Sequence, residues 1–158
     1  MNQILVDSPI GTLRLVSSEG ALVGLYMNGD LEAGALTEAN PVLLQAKEEL
    51  EQYFAGQRKG FTVKTCSSGT DFQRLVWSEL QKIPYGTTIS YGELAVRIGN
   101  HKAMRAVGLA NGRNPISIIV PCHRVIGADG SLTGFGGGIP RKRFLLDLER
   151  GETGLFGA

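Results

Sequence analysis

Two side chains that can move a proton and make a bond stand next to each other at Cys122-His123. A thiol, once ionised, is a strong soft nucleophile, and an imidazole takes a proton near neutral pH. The residues in front of the pair stiffen its presentation. A run of apolar and small residues, Ile116 to Val120, leads to Pro121, which fixes its own φ and turns Val120 away from helix. Adjacency alone does not establish catalysis, because a free Cys also serves as a small buried hydrophobe. Glu149 is a second oddity. It falls in the final turn of a helix that Pro140 opens and Gly151 stops, where a carboxylate opposes the helix dipole. An exposed, solvated Glu is the plain alternative. Other chemistries find no residue set. Two Cys and two His with no Cys-x-x-Cys or His-x-x-x-His pair make no zinc pattern. The glycine-dense stretch Thr133 to Gly138 lacks the strand-to-helix Gly-x-Gly-x-x-Gly arrangement, so no nucleotide site is expected there.

The elements that must position these residues follow from periodicity and turn chemistry. Gln3–Val6, Thr12–Val16 and Leu22–Tyr26 read as short strands separated by Ser8-Pro9-Ile10-Gly11 and Ser18-Glu19-Gly20, with a loop over 28–39. Asn40-Pro41 starts a helix whose stripe is Leu43, Ala46, Leu50, Tyr53 and Phe54, and Gly56 stops it. Phe61–Lys64 is expected to return as a strand. The linker Cys66-Ser67-Ser68-Gly69 divides an N-terminal domain, 1–66, from a C-terminal one, 67–158. Thr70 to Gln73 is a capping box opening a helix with Phe72, Leu75, Val76 and Leu80 on its buried face, and Trp77 is assigned to packing. Ser90 to Glu93 is another box, followed by the stripe Leu94, Ala95 and Ile98. Gly99-Asn100 turns the chain into a helix over 101–111, which Asn100 is placed to cap. On it Ala103, Met104, Val107 and Ala110 face one way, and Lys102, Arg105 and Leu109 another. Two short helices around a Gly-containing turn fit a helix-turn-helix. The small Ala106 and Gly108 would let another backbone approach closely. A basic amphipathic surface helix is the plain reading of the same pattern.

Composition bounds the partners. At 158 residues, 42% hydrophobic and 20% charged, the chain is an ordinary globular one, with no stretch long enough to span a bilayer. Met1-Asn2-Gln3-Ile4 does not begin a signal peptide, and two widely spaced cysteines suit a reducing cytoplasm. The net charge of +1 hides an asymmetry. Residues 1–81 carry six Lys/Arg against ten Asp/Glu, a balance of −4; residues 82–158 carry ten against five, a balance of +5. Only the C-terminal half is therefore suited to meet a polyanion. An uneven but solvated surface gives the same count.

Pro-Cys-His-Arg-Val-Ile at 121–126, preceded by Arg-Asn-Pro at 113–115, resembles the active-site signature of the O6-alkylguanine-DNA alkyltransferases, the methylated-DNA–protein-cysteine methyltransferases. The likeness runs with few gaps from Phe61 to about Arg150. It implies an α/β N-terminal domain, a small antiparallel sheet plus helix of ribonuclease-H-like type. A mainly helical C-terminal domain with a winged-helix-like helix-turn-helix would follow. It implies that Cys122 accepts the alkyl group from O6 of a guanine flipped out of duplex DNA. By the same resemblance His123 activates the thiol through a water and Glu149 orients His123, which would depress the effective thiol pKa. Tyr91 matches the tyrosine that rotates the 3′ phosphate and donates to guanine N3. Asn114 matches the asparagine that orders the turn before the cysteine. Arg105 matches the arginine finger that fills the vacated stack; Lys102, Ala106, Gly108 and Arg113 fall on the surface that would meet DNA. The carbonyls of Cys122 and Val125 would read the guanine amino group, and backbone around Gly136, beside Phe135 and Gly137, would donate to O6. Many relatives carry Tyr where this chain has Phe135, and Ser or Ala where it has Gly136, so the range of alkyl groups stays open.

The resemblance implies a single-turnover repair protein acting on O6-methylguanine, with O4-methylthymine as a second lesion. Its partner would be double-stranded DNA entered through the minor groove, with no membrane, no metal and no cofactor. The protein would act as a monomer, cooperative loading on DNA being left open. A non-catalytic reader of alkylated bases is one rival, although such proteins usually carry Trp where this chain has Cys122. A cysteine hydrolase is another, separable by turnover. A helix-turn-helix transcription factor is a third, separable by its dependence on DNA sequence.

Overall fold

The computed structural model describes residues 1–27, 29 and 36–151. The chain divides into two compact units, Met1–Ser68 and a second beginning at Gly69. In the first, β1 (Asn2–Val6), β2 (Leu13–Ser18) and β3 (Ala21–Tyr26) form an antiparallel sheet in the order β1-β2-β3. Ile4 pairs with Leu15 and Leu15 with Leu25, and a bulge between Val16 and Ser17 shifts the register towards the turn. Helix α1 (Pro41–Phe54) starts as its sequence dictates: the Asn40 side chain accepts from Leu43 N at 3.0 Å and Pro41 occupies the first turn. Its buried stripe, Leu43, Ala46, Leu50, Tyr53 and Phe54, joins Leu13, Leu15, Leu22 and Leu25 in the core of this unit. Most of the expected loop over 28–39 lies outside the described residues.

The strand expected at Phe61–Lys64 does not form there. Glu49, buried on α1, takes the amides of Thr62 (2.9 Å) and Val63 (3.1 Å), the Thr62 hydroxyl (2.6 Å) and the Gln45 amide (2.9 Å). Those amides are lost to a sheet ladder. Pairing begins only at Thr65, which bridges Leu22 through Leu22 N to Lys64 O and Cys66 N to Leu22 O. Burial alone would raise the Glu49 carboxyl, but the donors from Thr62, Gln45 and Val63 outweigh it and hold it below its usual 4.5. The stabilisation is therefore present above pH 4.5 and lost as the pH falls through the depressed value. Glu49→Gln should cost about 2 kcal/mol at neutral pH, because an amide leaves one of these donors unmatched. It should also flatten the acid limb of stability. Urea unfolding at pH 7 and pH 4 checks both, and equal losses at the two pH values would contradict the anchor.

In the second unit, α2 (Asp71–Leu80) opens on a complete capping box between Thr70 and Gln73. Its buried face is Val76, Trp77 and Leu80, whereas Leu75 is exposed. The Trp77 indole decides this phase, since its N–H needs a partner once buried and donates to Ala110 O at 2.8 Å. The ring lies against Gly69, where a Cβ would come within 2.6 Å of it. Strand β4 (Ile89–Ser90) pairs in parallel with β5 (Val125–Ile126), Ile89 opposite Val125. That two-residue ladder ties the first residue of α3 (Tyr91–Arg97) to the end of a 3-10 turn, Cys122–Arg124. Ser90 accepts from Glu93 N, while the Glu93 carboxylate turns to Arg97 at 2.5 Å. Helix α4 (Met104–Gly112) follows, and α5 (Ile139–Arg150) ends on Gly151 with φ 74°.

Helix α4 starts three residues later than its spacing predicts. The Asn100 side chain folds onto Lys102 N at 3.3 Å and its carbonyl takes Ala103 N, which makes a turn rather than a cap. Lys102 is therefore on the turn, and Ala103 caps α4 without a side-chain bond.

Candidate active site

Cys122 is delivered by a backbone that doubles back twice. Ser117 O accepts from Ile119 N at 2.8 Å around Ile118, whose φ is 73°. Val120 O accepts from Cys122 N at 2.8 Å around Pro121, at φ −82° and ψ 66°. These are two γ-turns, the first of the strained, positive-φ kind that a β-branched residue rarely adopts. Asn114 holds them: its amide donates to Val120 O at 2.7 Å and its oxygen accepts from Ile116 N at 3.0 Å. The apolar run is thus a packed corner, with Ile116, Ile118 and Val120 buried, and it aims the thiol. Cys122 is 4% exposed. Burial pushes it above its usual value, against the pull of Asn114, Lys142 and Ser117. The depressed thiol implied by the resemblance is therefore not the resting state.

His123 lies wholly inside, its Nε2 2.6 Å from Glu149 Oε2. The same carboxylate accepts from Arg124 Nε (2.8 Å) and Nη2 (3.1 Å) and from Gly86 N (3.3 Å). So many donors, His123 first and Arg124 next, overcome burial and hold Glu149 far below the carboxylate range. An ionised carboxylate only accepts, so Nε2 carries the imidazole proton and Nδ1 keeps its lone pair. Among the described residues Nδ1 has no hydrogen-bond partner, so the ring does not bond the thiol directly. The plain reading of Glu149 as a solvated surface group does not hold.

Lys142, fully buried, escaped the sequence reading. It and Glu149 stand seven residues apart on α5, two turns along one buried face with Leu145 and Leu146 between them. Its ammonium donates to Val125 O (2.6 Å) and Thr133 O (2.9 Å). Burial brings it down to about 8, with the nearby Cys122 acting the other way. Thr133 O also accepts from the Tyr91 hydroxyl at 2.9 Å. Cys122 O accepts from the buried amide of Asn111 at 3.3 Å and from Val125 N, and Val125 O accepts from Lys142. Asn111 and Lys142 share a signal that sequence shows only in hindsight, a polar residue in register with the apolar stripe of its helix.

An open groove of about 710 Å³ runs along α3 and α4, with Tyr91, Gly92, Met104, Arg105, Gly108 and Leu109 among its lining, and Thr133 and Gly134 closing one side. Met104, expected on one face with Val107 and Ala110, is 53% exposed there beside Arg105. Lys102, Ala106 and Arg113 are exposed on α4 or at its ends but do not line the groove. Phe135 and Gly137 are half-buried and Gly136 is exposed. A Cβ at Gly136 would meet only Gly112 O, at 3.9 Å. Among the described residues no cluster of three or more His, Cys, Asp or Glu could hold a metal ion.

The buried pair sets an acid response in two stages. Burial holds His123 below its usual 6.5, with Glu149 opposing and Arg124 and Lys142 assisting, so the unfolded chain binds that proton first. Its contribution to stability is complete above 6.5 and declines below it. Glu149, depressed from 4.5, adds a second decline below that value. Thermal melts should be level between about pH 7 and pH 8, fall below about 6.5 and steepen below about 4.5. A melting temperature constant down to pH 5 would contradict the neutral, buried His123.

Comparison with known proteins gives a consistent picture. Residues 71–151 match the family model for the 6-O-methylguanine DNA methyltransferase DNA binding domain, and residues 1–65 match that for its ribonuclease-like domain. A methylated-DNA–protein-cysteine methyltransferase of Methanosarcina acetivorans is 50% identical over 153 residues, covering 94% of this chain and 98% of that protein. One of Mycobacterium tuberculosis is 53% identical over 151 residues, covering 94% and 92%. The crystal structure of the M. tuberculosis O6-methylguanine methyltransferase is similar at TM-score 0.88 and 49% identity, covering 96% of this chain and 94% of that one. The M. tuberculosis OGT crystallised in complex with DNA is similar at TM-score 0.89 and 50% identity, covering 97% and 95%.

Proposed function

Because the chain belongs to the 6-O-methylguanine DNA methyltransferase family, we propose that its buried thiol and carboxylate-bound imidazole repair alkylated DNA. The protein is a methylated-DNA–protein-cysteine methyltransferase, and Cys122 is the acceptor. The sulfur–carbon bond forms as the O6–carbon bond breaks, and the electron pair of the broken bond stays with the guanine. The thiol proton goes to His123 Nδ1 through an intervening water. The observation that carries this reading is the 2.6 Å contact of His123 Nε2 with Glu149, which leaves the lone pair of Nδ1 to take a proton. Tyr91, whose hydroxyl donates to Thr133 O, turns to meet the charge on the departing guanine. The Cys122 and Val125 carbonyls receive the guanine amino group, and the backbone at Gly136 donates to O6. A thioether has no easy leaving group, so each molecule acts once. That sets aside a hydrolase, and the cysteine itself sets aside a non-catalytic reader.

DNA is the partner, met through the minor groove by α4, whose Arg105 enters the duplex while Lys102, Ala106, Gly108 and Arg113 contact the backbone. O4-methylthymine is the second substrate. The protein works as a monomer in the cytoplasm; no described helix is long and apolar enough to cross a membrane. Single-turnover kinetics on O6-methylguanine duplex test the proposal. The amplitude should equal the protein added, and binding should weaken steeply with salt while varying little with sequence. Repeated turnover, or affinity independent of salt, would overturn it.

A further inference from the structure

The reaction as described uses Cys122, His123 and Glu149, yet the carboxylate it relies on is shared. Arg124 is 7% exposed and lays a two-pronged contact on Glu149, Nε to Oε1 at 2.8 Å and Nη2 to Oε2 at 3.1 Å. His123 Nε2 approaches that same Oε2 at 2.6 Å. The guanidinium is itself held by Ile83 O, which accepts from Nη1 at 2.7 Å, and by the ring of Tyr85, 5.8 Å away. Three of its nitrogens are thereby fixed by protein acceptors in a fork that lysine does not reproduce.

We propose that Arg124 is a positioning residue that holds His123 as the neutral Nε2–H tautomer by neutralising the carboxylate they share. The inference rests on the reading of Glu149 as the group that orients His123. A buried carboxylate facing an imidazole by itself draws a second proton onto the ring and forms an imidazolium–carboxylate pair. With Arg124 on the same oxygens, the set of Arg124, Glu149 and neutral His123 already sums to zero. A further proton would leave an uncompensated positive charge in a closed site. The other groups around the ring push the same way or are silent. Helix α5 contributes Lys142 as well as Glu149, and the 3-10 turn contributes the thiol Cys122. The segment after α2 contributes Tyr85, while α2 turns only Val76, Trp77 and Leu80 inward. The lowered basicity of His123, to which burial contributes most and Arg124 and Lys142 add against Glu149, agrees with this geometry. The consequence is a base that rests unprotonated at neutral pH with its free lone pair on Nδ1.

The test reads the ring itself. The chain has two histidines, and the exposed His101 serves as an internal reference for nitrogen and carbon NMR of labelled imidazole. Wild-type protein without DNA should show His123 as Nε2–H, neutral at pH 7. Arg124→Met, which keeps bulk and loses charge, should raise its midpoint by at least about one pH unit, a tenfold gain in proton affinity. Arg124→Lys should return the midpoint towards wild type although the fork is lost. An unshifted midpoint in Arg124→Met, or an Nδ1–H or imidazolium ring in the wild type at pH 7, would overturn the proposal. If Arg124→Met fails to fold, Arg124→Gln, which is also uncharged, is read in its place, and an unshifted midpoint there equally overturns the proposal. The acid limb of single-turnover transfer separates this claim from the reaction. A limb that stays put while the NMR midpoint moves would remove His123 as the base and leave the role of Arg124 standing.

Discussion

Replacing Cys122 by alanine is expected to abolish alkyl transfer completely while leaving affinity for alkylated duplex DNA unchanged within error. The two effects separate because the thiol supplies the bond, whereas Arg105, Gly108 and Tyr91 line an exposed groove that Cys122 does not reach. Loss of one buried sulfur should cost about 1 kcal/mol of stability, too little to unfold a domain. The corner that carries residue 122 should persist, since Asn114, not the thiol, ties Val120 and Ile116 together. Transfer assays and binding curves on one O6-methylguanine duplex read both quantities. Residual transfer to Cys66, the exposed thiol of the first unit, would show that the acceptor was misassigned.

The second large effect is expected at Arg105. Arg105→Ala should slow repair of O6-methylguanine in duplex DNA by roughly ten- to a hundredfold, about 1.4–3 kcal/mol of the few needed to unstack and unpair a base. It should slow reaction with a free O6-alkylguanine base hardly at all. Arg105 is exposed on α4 between Met104 and Leu109, 53% and 62% exposed, and it makes no ion pair among the described residues, so its removal disturbs no packing. A guanidinium is long, always charged and flat enough to stack where the base was. A residue that only touched phosphate would be replaced well by lysine. Arg105→Lys should therefore recover little of the duplex rate. Equal proportional losses on free base and duplex in Arg105→Ala would place the residue in the pocket or the fold instead.

The elements were legible where local chemistry decides them. Asn40-Pro41 and Thr70 to Gln73 start helices because their side chains satisfy amides three residues away, an interaction written entirely in adjacent sequence. The Cys-His pair was legible for the same reason. Where tertiary partners decide, the pattern misled. Leu75 and Trp77 compete for one helical face, and the hydrogen bond to Ala110, far along the chain, settles it. Asn100 looks like a cap and serves as a turn. Phe61–Lys64 looks like a strand until Glu49 takes its amides. Ile118 adopts a backbone that nothing in its type announces. Lys142 and Arg124 are the fullest case. Charged side chains are ordinarily read as surface, and only the positions of the Val125, Thr133 and Ile83 carbonyls and of Glu149 make burial affordable.

The central claim is tested most directly by following the methyl group. Protein is mixed with an equimolar O6-methylguanine duplex, digested with a protease and mapped by mass spectrometry, alongside base analysis of the DNA. The expected result is one methyl on the peptide containing Cys122 for each guanine restored, with no second round on fresh DNA. Guanine restored while Cys122 stays unmodified, or a methyl found on any other residue, would contradict it.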